Sequence, residues 1–337
     1  MDDGKASREF FADHVAGRTG ADRADVRLGP TYGADFGVVD VGDSVVAMAA
    51  DPVFVMRELG VERAAWFAFH IAVSDVALSG LPPAHLALTL NLPPGTSTEA
   101  FDDIWSVFDR EARDLGTSLT TGHTGTYEGC AFPTVGGATA LAVGDPADLV
   151  VPTGARSGDR VVVTKGPAIE TTGLLGTLFG DDLPLDAETV DAARERFWDA
   201  SPVRDALTAA AAGGVTAMHD ATERGLANGF HELAAASDVA LAVDREAVPV
   251  APGVREVCDY FGVDPWSASS EGTVVLTVEP ESVSGVLAAL AEEGIPAADA
   301  GVVESGAGVT VDGDALPEPD SDPLWPAYQR AREQFWA

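Results

Sequence analysis

The stretch MHDATERGLANG, residues 218–229, decides the fold of this 337-residue chain. The apolar run 214–217 before it predicts a short strand, and the apolar spacing after it predicts a helix. An imidazole, two carboxylates, a hydroxyl and a guanidinium therefore lie within six residues at a strand-to-helix junction. Free N–H groups and the helix dipole converge at such a junction, which favours anion binding. The apolar face of the predicted helix consists of Leu226, Phe230, Leu233 and Ala234.

Thr222 is the predicted N-cap of this helix, because its hydroxyl can accept a hydrogen bond from a free N–H group of the first turn. Gly225 and Gly229 lower the helix propensity and indicate close approach by a ligand or by another stretch of backbone. The alternative interpretation of the whole stretch is an ordinary strand-to-helix turn with exposed polar residues.

The composition is strongly acidic, with 54 Asp and Glu residues against 20 Lys and Arg residues and a net charge of −34. The acids are spread along the chain, and Lys5 and Lys165 are its two lysines. Because 46% of the residues are hydrophobic, we expect a packed protein rather than a disordered one. A dispersed acidic surface suits solvation at high salt, so the sequence predicts a halophilic source. It also argues against binding to bare nucleic acid, which needs a basic surface.

The cysteines and the apolar runs predict a soluble, cytoplasmic protein without a membrane partner. Cys130 and Cys258 lie far apart and form no CxxC pair, which argues against a disulfide framework or a cysteine-based zinc site. The first nine residues are charged and do not resemble a signal peptide. The longest apolar segment, residues 66–79, is too short to span a bilayer.

The length and the turn signals predict two domains that mix strands and helices in α+β order. The segment 144–158 is rich in Pro, Gly and Asp, so the predicted domains are 1–150 and 151–337. In the first domain we predict helices at 7–16, 63–79 and 98–115 and strands at 36–41, 44–50, 85–91, 117–121 and 133–143. In the second domain we predict strands at 160–164, 214–217, 239–243, 273–278, 299–303 and 308–312. The second domain's predicted helices are 169–179, 187–197, 202–212, the helix after Thr222, 253–261, 281–293 and 324–336.

Three aspartates stand in apolar surroundings and are candidate metal ligands. Asp35 precedes the first strand, Asp51 ends the second, and Asp75 is the one charged residue between Trp66 and Ser79. A carboxylate in an apolar helix is costly unless it is paired, bound to metal or at the helix end. Hard oxygen ligands from several loops are what Mg²⁺ needs, usually beside phosphates. The alternative for each residue is a cap, a turn residue or a solvated acid.

Two other segments could contact phosphate. Residues 120–127 form a predicted loop of glycine and threonine whose N–H groups could cradle phosphate, and His123 within it could bind metal or phosphate. Lys165 stands at a strand end before a helix in a chain nearly devoid of lysine, where its ammonium would suit a phosphate or a carboxylate. A salt bridge with one of the many acids is the alternative for Lys165. Glu271, before a later strand, faces the same cleft or is a turn acid.

Neither glycine pattern matches the P-loop, and no strand–GxGxxG–helix unit is present, so the common P-loop and Rossmann nucleotide folds are excluded.

Taken in order, these segments resemble the AIR synthase superfamily over nearly the whole chain. The superfamily includes aminoimidazole ribonucleotide synthetase, thiamine-monophosphate kinase, selenophosphate synthetase and the hydrogenase-maturation carbamoyl dehydratase. The segments are GAD (33–35), AAD (49–51), VSDVALSG (73–80), GHT (122–124), MHDATERGLA (218–227) and SEG (270–272). They are similar to the family's Gly-Asp-Asp or Asp-Ala-Ala, Thr-Thr-Asp, Asn/Ser-Asp-hydrophobic-Ala-x-x-Gly and Gly-Asp-Thr elements. The last two are similar to Met-Arg-Asp-Pro-Thr-Arg-Gly-Gly-Leu-Ala and Asn-Glu-Gly of the maturation-protein branch.

The resemblance implies an AIR synthase-like fold of two domains and a homodimer that pairs through its N-terminal sheets. It also implies Mg²⁺ and ATP as cofactors, used to phosphorylate or activate an oxygen of a small-molecule or protein substrate. On this basis the metal ligands are Asp35, Asp51, Asp75 and His123. The nucleotide-contacting residues are Gly122, Thr124, Gly125, Lys165 and Glu271. The residues expected to act on the substrate or the γ-phosphate are Asp220, Thr222 and Arg224, with Lys165.

The departures from the family pattern keep other functions open. Ala49 and Ala50 lack the family's threonine hydroxyls, Ala34 replaces an acidic position, and His123 replaces an aspartate. The sequence ends QFWA without the C-terminal cysteine of the carbamoyl dehydratase, so we do not expect that reaction. Selenophosphate synthetase usually has a reactive Cys or selenocysteine near its start, and no cysteine precedes Cys130. A thiamine-monophosphate-type kinase and a nucleotide-binding homologue without turnover remain the alternatives.

Overall fold

A computed structural model describes residues 8–336, which divide into two compact units. The N-terminal unit comprises Arg23–Gly29 and Asp35–Leu149. The C-terminal unit comprises the described residues from Val150 onward together with Pro30–Ala34 and the described residues up to Asp22. The first helix, α1 (Arg8–His14), therefore belongs with the C-terminal unit and has no buried residue. The predicted domains 1–150 and 151–337 differ from these units in residues 8–22, 30–34 and 150.

The N-terminal unit is built on a six-stranded mixed sheet. Its strands are β1 (Val26–Leu28), β2 (Gly37–Val41), β3 (Ser44–Phe54), β4 (Pro83–Leu92), β5 (Ser118–Thr126) and β6 (Thr134–Gly144). They lie in the order β1-β2-β3-β6-β4-β5, and β4 and β5 form the one parallel pair. Buried residues alternate along β3, as expected for a strand with one face against a core. The predicted hairpin of β2 and β3 is confirmed.

Two helices cover one face of this sheet: α2 (Val61–Ala77) and α3 (Thr98–Asp114). The helix α2 is rich in Ala and aromatic residues and is buried over most of its length, whereas α3 is amphipathic and exposes its acidic side. Ser97 caps α3 by accepting a hydrogen bond from the N–H of Ala100. Nε2 of His70 on α2 lies 3.2 Å from Oε2 of Glu111 on α3, and this contact links the two helices.

The C-terminal unit is built on a seven-stranded sheet in the order β13-β12-β9-β11-β7-β10-β8. The strands are β7 (Arg160–Thr164), β8 (Val215–Asp220), β9 (Ala240–Val243), β10 (Val274–Val278), β11 (Ala297–Glu304), β12 (Gly308–Val311) and β13 (Asp314–Ala315). The helices are α4 (Ile169–Phe179), α5 (Ala187–Glu195), α6 (Val203–Ala212), α7 (Gly225–Ser237), α8 (Val254–Phe261), α9 (Val283–Glu292) and α10 (Leu324–Phe335). All five residues of β10 are buried. The predicted α+β architecture is confirmed.

The helix α7 packs its apolar face into the core of this unit. Leu226, Phe230 and Leu233 are fully buried and share a cluster with Val163 and Val275 of the sheet. This is the face that the spacing of apolar residues predicts. The helices α6 and α9 contact the sheet through β8 and β11. None of the helices in residues 8–336 has both the length and the apolar character needed to cross a bilayer.

Two local predictions in the N-terminal unit are wrong. Gly122, His123, Thr124 and Gly125 lie within the edge strand β5 rather than in a loop, because Thr121 to Thr126 pair with β4 in parallel. Glycine allows this approach, since a Cβ atom at position 122 would lie 2.5 Å from the carbonyl oxygen of Leu88. Asp51 lies within β3 and does not end it, because pairing with β6 continues to Phe54.

Burial separates a few acids from the acidic background. Six acidic residues are buried among residues 8–336, and all six belong to the C-terminal unit. They are Asp159, Glu170, Asp205, Asp220, Glu232 and Glu271. The others are exposed or half-buried, where like charges repel one another through solvent.

We therefore expect the protein to gain stability with salt. Raising KCl from about 0.2 M to about 3 M shortens the screening length to a few ångströms and should raise the Tm by roughly 10 °C. Differential scanning calorimetry in KCl and in sucrose of equal osmolality separates screening from general exclusion. A Tm that is flat or falls with KCl contradicts this expectation.

Candidate functional site

The polar motifs of the C-terminal half meet at one edge of the seven-stranded sheet. The strands β7 and β8 both run antiparallel to β10 and flank it, so their carboxyl ends lie beside its amino end. Val274 at the start of β10 pairs with Asp220 at the end of β8. Lys165, which follows β7, and Glu271, which precedes β10, are consequently brought to the same edge. We call Lys165, Asp220, Glu271 and the side chains around them the polar edge.

Lys165 is buried and bound on all sides by protein oxygens. Its ammonium lies 2.9 Å from each of the carbonyl oxygens of Asp199, Ser201 and Gly272, and 3.0 Å from Oδ2 of Asp205. Its backbone has a φ of 56°, in the left-handed region. In this arrangement the three ammonium hydrogens are directed at the protein itself. The structure therefore shows the salt bridge that is the alternative for Lys165, while the contact with phosphate or substrate stays a prediction.

Asp205 is the partner of this buried charge. Desolvation raises the pKa of the Asp205 carboxyl, although Lys165 opposes that change. The pair is thus costly to bury and is held by the surrounding hydrogen bonds, which is the usual state of an interior ion pair. Because Lys165 contacts both Asp205 on α6 and the carbonyl oxygen of Gly272, the pair fixes the backbone before β10 relative to α6.

Glu170 is a buried acid beside Glu271. Its Oε2 accepts a hydrogen bond of 3.3 Å from the backbone N–H of Glu271. Burial, and next the negative charge of Asp322, raise the pKa of Glu170 to about 8; Glu223 and Asp220 contribute to this rise, and the hydrogen bond from the Glu271 N–H opposes it. Glu170 is therefore protonated at neutral pH and can donate a hydrogen bond, which an ionised carboxylate cannot do.

The strand β8 extends beyond its predicted end and buries the first polar residues of the opening motif. His219 and Asp220 lie within β8, and each is 1% exposed. Nδ1 of His219 lies 2.6 Å from the carbonyl oxygen of Asp220, and its Nε2 lies 3.6 Å from Oε2 of Glu232 on α7. The imidazole is therefore placed between β8 and α7 within the C-terminal unit.

The turn between β8 and α7 differs from its prediction. The helix begins at Gly225, and its N-cap is Arg224, with a φ of 62° and no side-chain cap. Thr222 does not cap the helix, because Arg224 occupies the N-cap position; the carbonyl oxygen of Thr222 accepts the N–H of Gly225 in a tight turn. The Arg224 guanidinium is 3.4 Å from both Oε1 of Glu318 and the carbonyl oxygen of Pro319.

The glycines of this turn permit close approach by backbone. A Cβ atom at Gly225 would lie 2.3 Å from the carbonyl oxygen of Ala268, and one at Gly229 would lie 3.0 Å from that of Asp220. Of the two explanations that the sequence left open, the structure shows the approach of another stretch of backbone.

The four predicted metal ligands lie in the N-terminal unit on separate elements. Asp35 precedes β2, Asp51 is in β3 and Asp75 is in the last turn of α2, and all three are half-buried. Within residues 8–336, no three of these four side chains bring a ligand atom each within 4.8 Å of one another. The three carboxylates have the oxygen chemistry that Mg²⁺ prefers, and Mg²⁺ commonly uses one or two carboxylates together with phosphates and water. Within the described residues the set forms no closed metal cage, and the metal role of its members stays a prediction.

His123 fits such a site less well. It is exposed on β5, and its Nε2 lies 2.5 Å from the hydroxyl of Tyr127. Imidazole is also an unusual ligand for Mg²⁺. Gly122 and Thr124 are exposed on the same strand, and a Cβ atom at Gly125 would meet the Tyr127 ring at 2.9 Å.

Sequence reasoning missed three acids of the C-terminal unit. Glu170 is the one charged residue between Gly166 and Gly180, so the criterion that selected Asp75 would also have selected it. Asp205 and Asp322 carry no such signal, because each lies among other acidic or polar residues. Their partners, Lys165 and Arg224, are 40 and 98 positions away.

Two family profiles match the chain, one for most of each structural unit. The family profile "AIR synthase related protein, N-terminal domain" matches residues 33–154, and the profile of the C-terminal domain matches residues 156–314. The chain belongs to the AIR synthase-related family. This confirms the family resemblance inferred from the six sequence segments.

Two curated relatives show the range of the family. A thiamine-monophosphate kinase of Halobacterium salinarum is 34% identical over 259 residues, which is 75% of this chain and 81% of the kinase. The carbamoyl dehydratase HypE of Rhizobium leguminosarum bv. viciae is 30% identical over 231 residues, or 66% of this chain. The matched part is 62% of the rhizobial protein's length.

Solved structures share the fold. HypE of Escherichia coli, a hydrogenase maturation protein, aligns with a TM-score of 0.71 at 26% identity over 84% of this chain and 88% of its own. HypE in complex with ATP aligns with a TM-score of 0.68 at 22% identity over 96% of this chain and 97% of its own.

The Lys165–Asp205 pair yields the first prediction from this site. Lys165→Met leaves the Asp205 carboxylate buried without its counter-charge, so we expect a loss of about 3–5 kcal/mol in the free energy of unfolding by urea denaturation. Lys165→Met combined with Asp205→Leu should recover much of that loss. As a control, Arg204→Met removes the exposed Arg204–Glu293 pair and should cost less than about 1 kcal/mol. A Lys165→Met variant as stable as the control contradicts the assignment.

The raised pKa of Glu170 predicts a pH-dependent difference in stability. The folded pKa of about 8 lies above the ordinary value of 4.5, so the native state holds a proton that the unfolded chain releases. The contribution of Glu170 to the free energy of unfolding therefore falls as the pH rises from 4.5 to about 8. The fall is up to about 1.4 kcal/mol per pH unit. The stability of the wild type relative to Glu170→Gln should fall between pH 6 and pH 8 and then level off. The exposed control Glu292→Gln should show no such trend, and an equal trend in both variants would refute the assignment.

Proposed function

We propose that the protein is a Mg²⁺-dependent enzyme that binds ATP and uses it to phosphorylate or activate an oxygen of its substrate. The observation that carries the proposal is the polar edge, where the structure gathers buried ionisable groups from β7, β8 and the start of β10. Desolvated polar groups are expensive unless they serve the fold or a ligand, and they are typical of active sites. Membership of the AIR synthase-related family supports the same conclusion.

The relatives indicate that the chemistry uses ATP. One relative is a kinase of thiamine monophosphate, and one neighbour in fold is a maturation protein in complex with ATP. In phosphoryl transfer the substrate oxygen attacks the γ-phosphorus, the bond to the bridging oxygen breaks, and ADP leaves. Such catalysis depends on positioning and on neutralising phosphate charge.

We assign the roles to each unit separately. In the N-terminal unit, Asp35, Asp51 and Asp75 would hold Mg²⁺, whose chemistry is to neutralise the phosphate oxygens. His123 remains a further candidate ligand, and the β5 residues Gly122, Thr124 and Gly125 remain candidate nucleotide contacts.

In the C-terminal unit, Asp220, Thr222 and Arg224 would position the substrate or the γ-phosphate, with Glu271 beside them. We propose a structural role for Lys165, which acts through the backbone of Gly272 and not on phosphate.

Calorimetric titration with ATP tests the proposal. In about 3 M KCl the wild type should bind ATP in the presence of Mg²⁺, and Asp75→Asn should weaken that binding by roughly tenfold, the effect of losing about 1.4 kcal/mol. Asp43→Asn, an exposed turn residue between β2 and β3, is the matched control and should bind like the wild type. Unchanged affinity in Asp75→Asn would show that the metal assignment is wrong.

A thiamine-monophosphate-type kinase is the second candidate, because the Halobacterium kinase matches 81% of its own length at 34% identity. Incubation with ATP and thiamine monophosphate should then yield the diphosphate and ADP. Tight ATP binding without turnover of any acceptor in high salt would instead support a nucleotide-binding homologue.

We also propose that the protein forms a homodimer through its N-terminal sheet. The face of that sheet opposite α2 and α3 carries Val46 and Leu141, both half-buried, and Val143, which is 46% exposed. The edge strand β5 beside it is exposed over most of its length. An exposed apolar face next to an unpaired edge is typical of an association surface.

Light scattering tests the dimer. The wild type should have twice the chain mass of 34.7 kDa, whereas Val143→Glu should shift the protein to the monomer. Val61→Glu, which alters a valine of similar exposure at the start of α2, should remain dimeric. A monomeric wild type excludes the proposed dimer.

A further inference from the structure

A short segment near the end of the chain forms hydrogen bonds with the turn that contains Arg224. Residues 316–323 connect β13 to α10, and they lie beyond residue 314, where the C-terminal family match ends. Two acids of this segment, Glu318 and Asp322, contact the turn between β8 and α7. We call these two residues the clasp. Because Glu318 and Asp322 lie beyond residue 314, the family match does not include the clasp.

Asp322 joins two turns of the polar edge. Its Oδ2 accepts the backbone N–H of Arg224 at 2.7 Å and the hydroxyl of Ser269 at 2.7 Å. Its Oδ1 accepts the N–H of Leu324 at 2.8 Å and, more weakly, that of Ser269 at 3.4 Å. One carboxylate thus connects the Arg224 turn, the turn before Glu271 and the start of α10.

Glu318 holds the other end of Arg224. Its Oε1 is 3.4 Å from the Arg224 guanidinium and accepts a hydrogen bond of 3.1 Å from the hydroxyl of Tyr32. Burial, together with the charge of nearby carboxylates, raises the pKa of Tyr32 to about 12, so the phenol keeps its proton. Tyr32 also lies outside the N-terminal family match, which begins at residue 33.

The clasp stabilises a left-handed backbone conformation in the turn. Arg224 has a φ of 62°, a left-handed conformation that costs a residue with a Cβ atom about 1 kcal/mol or more. Such a conformation persists where the surroundings fix it, and here the N–H and the guanidinium of Arg224 are both held by the clasp. The neighbouring N–H of Gly225 is bound within the turn by Thr222.

We propose that Asp322 is a positioning residue, which holds the Arg224 turn and the Ser269–Glu271 turn in the geometry that discriminates the terminal phosphate of the nucleotide. This inference rests on the proposed function. It adds that the discrimination depends on an acid outside the family match, which acts through Arg224 and does not touch the nucleotide.

The variant Asp322→Asn isolates this role. Its amide has one acceptor oxygen where the carboxylate has two, so it cannot accept the N–H of Leu324 and the N–H of Arg224 together. Asp320→Asn is the matched control, since Asp320 is an exposed aspartate of the same segment. Both variants lose one negative charge, so a difference between them is not due to net charge.

Two measurements on the full chain in about 3 M KCl test the proposal. Hydrogen exchange should show the amides of 222–226 and 269–272 exchanging at least roughly tenfold faster in Asp322→Asn, a change of about 1.4 kcal/mol in local opening, with Asp320→Asn unchanged. Calorimetry should show ATP affinity falling while ADP affinity stays, so that the ATP-to-ADP affinity ratio falls roughly tenfold. A general loss of stability would weaken both nucleotides alike.

Unchanged exchange in Asp322→Asn overturns the clasp, and faster exchange with an unchanged affinity ratio overturns its functional role. If the wild type binds no ATP, the proposed function and the discrimination fail together, and hydrogen exchange still decides whether the clasp orders the turn. Should Asp322→Asn not fold, Ser269→Ala removes a single hydrogen bond to the same carboxylate oxygen and should show the same two changes to a smaller extent.

Discussion

The buried ammonium of Lys165 is the constraint on which the polar edge depends. A positive charge with little access to water must be surrounded by oxygens, and this one draws in the carbonyl groups of Asp199, Ser201 and Gly272 and the carboxylate of Asp205. Those oxygens come from the segment before α6, from α6 itself and from the turn before β10. The lysine therefore fixes where β10 begins, and with it the position of Glu271 beside Glu170.

The strands then determine what shares that edge. Since β7 and β8 flank β10 in the opposite direction, the carboxyl ends of two strands and the amino end of the third lie side by side. Asp220 is carried to this edge by β8, and Arg224 is held just beyond it by Asp322. In a chain with 54 acids, burial distinguishes Asp220, Glu170 and Glu271 from the exposed carboxylates.

Regular elements were predictable from sequence because their signals are local. The strand β7 and the helix α4 have their predicted bounds, 160–164 and 169–179, and the apolar face of α7 is the predicted one. The errors arose where tertiary pairing overrides local propensity. The glycines of β5 were interpreted as a loop, although pairing with β4 extends the strand through them. Thr222 resembles an N-cap, but the helix begins at Gly225 after Arg224, whose backbone N–H donates to Asp322, 98 positions away.

The candidate site was predictable only in part, for the same reason. Asp220, Glu271 and Lys165 were visible as polar residues at the ends of predicted strands, whereas the partners of Lys165 and Arg224 depend on the tertiary fold. The metal and nucleotide contacts in the N-terminal unit remain predictions.

The central claim is that the polar edge of the C-terminal unit is the side that meets the nucleotide or its acceptor. The most direct measurement is hydrogen exchange of the wild type with and without a non-hydrolysable ATP analogue and Mg²⁺. Bound nucleotide should protect the amides of residues 220–225 and 270–273. It should cause no change at the cavity of about 400 Å³ lined by residues such as Thr189, Pro252 and Glu256. Protection confined to that cavity, with none at the polar edge, would contradict the central claim.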